Sequence, residues 1–320
     1  MSSQGSVVRF TAGRLLGTVA LLLVLSFIVF ALLHLTPGDP ALNLLGPRAS
    51  TPEALAAVRD QYNLDEPFLT QYLLWLGDVV QGDLGQSIRS GDEVTSLLAN
   101  RVLLKLQLAA FAFVLTLVVA VPLGIISAWR AGGVLDRGST TAALVGVGAP
   151  SYAVGLVLLY FLGVQLNVFP VYGSGDGGLD TWWHLSLPAV TLAFGVGALV
   201  FKLTRTSVRA ELDQDYVTFA RSRGLSQQQI RTLVLRNAML PIITSLGLVF
   251  AFLFGGTILV EVTFALQGIG SLLAGSVTFK DVPVVQAITL LTAAVIAITA
   301  LLVDLVAFAA DPRVRKRAAS

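Results

Sequence analysis

The residues best suited to do chemistry in this 320-residue chain lie between two long apolar runs, in a polar stretch at 206–239. Asp215, Arg221 and Arg223 supply charge there, and Tyr216, Ala220, Gly224, Leu225 and Ser226 stand between and after them. Ionic groups spaced around small residues suit a docking surface, where one partner approaches closely and polar contacts set the register. They do not suit catalysis. The chain has no cysteine and only two histidines, His34 and His184, far apart in sequence. No nucleophile–base pair and no thiolate metal site can be assembled from that set. No Gly-Lys-Ser/Thr occurs, and Leu225-Ser226-Gln227-Gln228-Gln229 lacks the glycines that let a backbone reach a phosphate. The expectation is a chain that is not an enzyme, holds no metal or cofactor of its own, and has no nucleic-acid partner.

The elements positioning this stretch follow from its local signals. Helix is expected to continue from 206 to Arg223, where Gly224 can turn the chain with positive φ. Ser226 then offers an N-cap, with Gln229 three residues on as the second half of a capping box. A short helix from Gln227 follows, with Ile230, Leu233 and Val234 on one face, and Pro241 stands at the start of the next apolar run. Ala220 and Gly224 are four apart, so one face is bare enough for close approach. On geometry alone two readings stay open: an ordinary amphipathic surface helix, or a stiff knob gripped by something outside the membrane.

Composition places the whole in a bilayer. Apolar residues make up 55% of the chain and charged ones 12%, against about 25% in ordinary globular proteins, which excludes a soluble domain. A helix needs roughly 20 apolar residues to cross the hydrocarbon. Six runs qualify, at 15–35, 106–128, 140–166, 185–203, 240–262 and 283–310. Lys and Arg divide fifteen to six between the alternating gaps. The positive-inside rule then puts the 1–14 segment, the 206–239 stretch and the 311–320 tail in the cytoplasm. Residues 36–105 lie outside, with helical patches at 52–62 and 67–80. That region has nine acidic residues against three arginines before Arg101, which fits a solvated face or a docking surface. Residues 106–310 form the five-helix core that contains the knob.

Within the spans, Pro150, Gly155 and Gly247 permit kinks and close helix contacts. Of two intramembrane acids, Asp304 is placed to pair with a tail arginine, and Glu261 either pairs with Lys280 or lines an outer vestibule. So few buried ionisable groups weigh against the first rival, a proton- or sodium-driven secondary transporter. The second rival, a membrane scaffold, would use the knob and the external region to bind partners without transport.

The stretch Gln214-Asp215-Tyr216-Val217-x-x-Ala220-Arg221-x-x-Gly224-Leu225-Ser226, followed by Arg236-Asn237-Ala238-x-Leu240-Pro241, resembles the cytoplasmic coupling loop of ABC-importer permeases. More narrowly it is similar to the peptide/nickel family. Leu35-Thr36-Pro37-Gly38-Asp39-Pro40, Gly82-Asp83-Leu84-Gly85-x-Ser87, Phe169-Pro170-Val171 and Asp311-Pro312-Arg313 extend the resemblance along nearly the whole chain. The large external region resembles the B-type subunit of dipeptide and oligopeptide importers. The resemblance departs at Thr218-Phe219, where the loop motif has other residues, at Arg223 for a usual lysine, and at Gln267 for a common proline. It implies an all-α, six-span type I importer permease of the cell inner membrane. It further implies a second permease, two cytoplasmic ATPase domains that bind ATP and Mg, and an extracytoplasmic peptide-binding protein. Asp215, Arg221 and Arg223 would make polar contacts with an ATPase, Ala220 and Gly224 the close fit, and the third and fifth spans would line the pathway. Nickel or another small solute is the alternative cargo.

Overall fold

A computed structural model describes residues 3–35, 37–45 and 51–310. Among them there is no strand, and thirteen α-helices follow one another. In chain order they are α1 (Ser3–Leu35), α2 (Pro40–Leu45), α3 (Pro52–Gln61), α4 (Phe68–Gln81), α5 (Val94–Trp129), α6 (Val134–Gly148) and α7 (Ser151–Leu158), which runs on as a π-helix, Leu159–Gln165. Then come α8 (Gly178–Leu212), α9 (Asp215–Ser222), α10 (Gln227–Gly255), α11 (Ile258–Thr263), α12 (Ile269–Thr278) and α13 (Val282–Ala310). Five of these (α1, α5, α8, α10 and α13) are long and apolar enough to cross a membrane. The bent pair formed by α6 and α7 with its π-helix makes a sixth.

The third span is where the structure departs most from a straight reading of 140–166. Its two halves meet at 110°, with the break at Gly148–Pro150. Proline explains the break: it has no N–H to donate, and it biases the preceding residue toward extended backbone. Ala149 accordingly has ψ of 129°. The fifth span departs differently. Helix α10 begins at Gln227 and passes through Pro241, so the short helix and the span are one element. It stops at Gly255, and residues 258–263 form the separate α11.

The described chain forms two compact units. One gathers Leu106–Leu266 with the described residues before Leu15 and after Ile298. Its α8 packs along α6, α7 and α10. Arg14 and Asp304 lie 3.2 Å apart in this unit. The expected tail-arginine partners of Asp304 fall at 311–320, outside the described residues. The second unit gathers Leu15–Lys105 and Gln267–Ile298. Leu33, Leu44 and Ile88 form a small apolar core there, joined by Val58, Tyr62 and Val282. Asp39 caps α2: its Oδ1 accepts from the Ala41 N–H at 2.9 Å, and its Oδ2 from Arg59 at 2.7 Å. The first of these bonds, then the second, holds the Asp39 carboxyl below its ordinary value.

Beneath the Gly82–Gly91 turn the second unit buries Asp281. Ser87 Oγ donates to its Oδ2 at 2.5 Å and the Ile88 N–H to its Oδ1 at 3.0 Å. Gln286 reaches across to α1, donating to the Val29 carbonyl at 3.2 Å.

Candidate functional site

The polar stretch folds as a hairpin of two helices, α9 and α10, set on the end of α8. Helix α8 does not continue to Arg223. It ends at Leu212, where Asp213 and Gln214 donate backward to Arg209 and Glu211 and Gln214 turns extended. That break lets α9 aim Val217 and Ala220 inward. Both are buried in one apolar core with Ala128, Val208, Ile230, Val234, Ala238 and Ile242. Tyr216 and Leu225 pack at its edge.

The turn between the helices is made by backbone rules alone. Gly224 has φ of 75°, a conformation that costs any other L-residue roughly 1–2 kcal/mol. The Gly224 N–H donates to the Arg221 carbonyl at 3.0 Å and the Leu225 N–H to the Ala220 carbonyl at 3.1 Å. This nested pair is a Schellman motif, which satisfies the last carbonyls of α9. The capping box of α10 follows at once. Ser226 Oγ accepts from the Gln229 N–H, and the Ser226 N–H donates to Gln229 Oε1 at 2.9 Å.

On the flank, the Tyr216 hydroxyl donates to Glu211 Oε2 at 2.6 Å. Burial first, and the Glu211 carboxylate second, push the Tyr216 hydroxyl above its ordinary value. The Arg231 guanidinium lies 5.6 Å from the centre of the Trp129 ring, within cation–π range.

Of the expected docking residues, Asp215, Arg221, Arg223, Gly224 and Ser226 are exposed, and Tyr216 and Leu225 are half-buried. Ala220 is different. Only 7% of it is exposed, so it belongs to the hairpin's own core and not to the face offered outside. Leu233 is likewise not on the buried face with Ile230 and Val234. The residue that sequence reading passed over is Phe219. It is 68% exposed at the crown of α9, an isolated large ring among polar neighbours. Its signal was available: an apolar residue two positions from Val217 lies on the opposite side of a helix from the core-facing pair.

A second group also went unnoticed. Asp136 of α6 is buried and accepts from Arg205 of α8 through both oxygens, at 2.6 and 3.0 Å. It also accepts from Ser127 and, at 2.8 Å, from the Gly132 N–H. One carboxylate thereby ties the α5–α6 turn to α8, the helix that carries the knob. No sequence motif marks this pairing, because its partners are 69 residues apart.

Residues 120–316 match the family described as binding-protein-dependent transport system inner membrane component, and residues 7–109 match the N-terminal part of such components. The chain belongs to this permease family. It is 37% identical to the glutathione transport system permease protein GsiC of Escherichia coli, over 97% of this chain and 99% of that protein. It is 35% identical to a probable peptide ABC transporter permease, y4tP of Sinorhizobium fredii, over 94% and 97% of the two chains. A solved structure of the MetNI methionine ABC transporter in an inward-facing form shares the fold, with a TM-score of 0.55 at 15% identity. The match covers 67% of the permease described here and 96% of that chain. Both rivals are thereby set aside: the permease is a transport component of the type I importer fold.

Among the residues expected to line a pathway, Pro150 stands at the 110° break of the third span. Gly155 lies just beyond it, where a Cβ would be 3.0 Å from the Phe264 ring and 3.2 Å from Thr191. Gly247 meets Val303 so closely that an added Cβ would fall 2.0 Å from it, which makes it a packing residue between α10 and α13. Glu261 is buried in α11 and accepts from Thr257 Oγ1 at 2.8 Å. Among the described residues, no three His, Asp or Glu side chains are placed to hold a metal ion.

Proposed function

We propose that this permease is one of two membrane subunits of an ATP-driven importer of small peptides, and that the α9–α10 knob is its contact with an ATPase. The observation that carries the reading is the construction of the knob. A Schellman turn, a capping box and an eight-residue core fix its backbone, while outside that core it exposes an aromatic ring, Phe219, and two arginines, Arg221 and Arg223. Exposed aromatic and arginine side chains on one short, rigid segment are the composition of an interface.

In this reading Phe219 enters a cleft on the ATPase, and Asp215, Arg221, Arg223 and Ser226 make the polar rim. ATP and Mg are bound by the ATPases, and this chain does no chemistry on them. Closure of the two ATPases moves the knob, and α8 and α10 carry that movement into the spans. The knob, both termini and the tail lie in the cytoplasm, as the arginine distribution directs. An extracytoplasmic binding protein delivers the cargo from the opposite side. Small peptides are favoured as cargo because the relatives named above include a peptide permease and a glutathione permease, and glutathione is itself a tripeptide.

The test is purification of the tagged permease from its own cell in mild detergent, with its companions identified by mass spectrometry. A second permease, ATPases and a binding protein are expected, and that binding protein should retain peptides. A chain recovered alone, under conditions that keep a known importer whole, overturns the assembly. Recovery of the full assembly with a binding protein that ignores peptides overturns only the cargo.

A further inference from the structure

Helix α4 belongs by sequence to the region outside the membrane, yet it packs against the middle of the first span. From Arg14 to Leu35 helix α1 rises 21 residues, about 31 Å, which matches the roughly 30 Å hydrocarbon core. Leu35 therefore marks one hydrocarbon boundary. Phe30 and Phe27 lie five and eight residues below it, about 8 and 12 Å deep, and Leu23 about 18 Å deep. Tyr72 of α4 places its ring 5.2 Å from Phe27, and its hydroxyl 2.8 Å from Ser26 Oγ and 3.3 Å from the Leu23 carbonyl oxygen. Trp75 of α4 lies 5.4 Å from Phe30.

On the inward side of α4, Gln71 and Tyr72 find their hydrogen-bond partners inside the protein, as hydrocarbon demands. Gln71 Nε2 donates to the Leu64 and Glu66 carbonyls at 3.1 and 2.7 Å. Its Oε1 therefore accepts from His34 Nε2, 3.0 Å away. This last contact, one residue from Leu35, holds the start of α4 at the boundary.

The rest of α4 divides into two further faces. Leu69, Leu73, Leu76 and Val80 recur at the spacing of a single helical stripe, and Leu69, Leu73 and Val80 are 61, 60 and 79% exposed. Thr70, Gly77, Asp78 and Gln81 occupy the remaining side, together with Leu74, which is 44% exposed. A helix with one side on protein, one apolar and one that carries its exposed polar residues, at the depth of a bilayer boundary, has the pattern of an interfacial membrane helix.

We infer that α4 lies in the membrane leaflet at the Leu35 end of the first span, with the Leu69–Leu73–Leu76–Val80 stripe against lipid acyl chains and the Thr70–Gln81 side at the headgroups. The occupant of the stripe is hydrocarbon because the α4 face adjoining it already contacts α1 at about 8–18 Å below the boundary, over a depth at which α1 exposes the apolar Val24, Ile28 and Leu32.

The chain has no cysteine, so single spin labels can be placed without other changes. Leu73→Cys, Leu69→Cys and Gln81→Cys would each be labelled in the full chain, reconstituted in lipid vesicles with its co-purifying subunits. Collision with oxygen and with a water-soluble nickel chelate is then read by electron paramagnetic resonance. At Leu69 and Leu73 high oxygen accessibility is expected, with nickel accessibility at least ten-fold below that at Gln81. Nickel accessibility at Leu73 equal to that at Gln81 places the stripe in water and overturns the inference. Exclusion of both reagents at Leu69 and Leu73 shows a protein partner covering the stripe, and overturns it equally.

Discussion

The knob at 215–229 and the turn at 82–91 are both tight, glycine-bearing segments joined to helices, but the hydrogen bonds that shape them differ in reach. Every bond that shapes the knob's turn joins residues within five positions of one another, through the Gly224 turn and the Ser226–Gln229 box. The 82–91 turn has local bonds too, from the Gly85 N–H to Asp83 Oδ1 and from the Gly91 N–H to the Ser87 carbonyl, but it is tied besides to Asp281, which takes hydrogen bonds from Ser87 and Ile88 across 194 and 193 residues. A locally held segment keeps its shape while its surroundings move; a remotely held one keeps its shape only while the unit around it is intact. The first arrangement suits a part that must transmit movement. The second suits a part that must stay still. The Asp136–Arg205 pair is of the second kind and lies at the root of the first.

Mutations that remove the remote ties should therefore cost the most stability. Asp136→Ala leaves Arg205 without its carboxylate and should destabilise the permease by about 3 kcal/mol, toward the low end for a buried pair because Arg205 keeps some solvent. Asp281→Ala strands the Ser87 and Ile88 donors and should also cost about 3 kcal/mol, with proteolysis appearing at the 82–91 turn. Both are read as the midpoint of thermal unfolding in detergent. The local ties should cost less stability. Ser226→Ala is expected to cost about 1 kcal/mol, the ordinary value for a lost N-cap. If Ser226→Ala proved as damaging as Asp281→Ala, the contrast between the two regions would be wrong.

Transport should instead be most sensitive at the knob. Phe219→Ala removes an exposed ring, so it should leave the unfolding midpoint unchanged and lower ATP-driven uptake at least ten-fold. Gly224→Trp should uncouple ATP hydrolysis from uptake in an assembled complex, and normal uptake from that complex would remove the knob from the mechanism.

The smallest effect expected is on pH. The Asp39 carboxyl is held below its ordinary value, so its contribution is present above the unfolded carboxylate range and fades as pH falls through the lowered folded value. Asp39→Asn should flatten the acid limb of stability only slightly, because the group is exposed.

The sequence by itself determined what depends on neighbours in the chain. The apolar runs set the spans, Pro150 set the break, and the Gly224 turn and capping box were legible residue by residue, since each closes within a few residues. Which face of each helix is inside was not legible. In a bilayer, lipid-facing and protein-facing positions are equally apolar, so Leu16 at 71% exposure and Leu33 at 5% read alike. That is why Ala220 was expected on the outer face and why the exposure of Phe219 was passed over. Only the tertiary structure decided those placements, together with the partners of Asp136 and Asp281. Burial and pairing at those sites depend on groups that the fold brings from far along the chain.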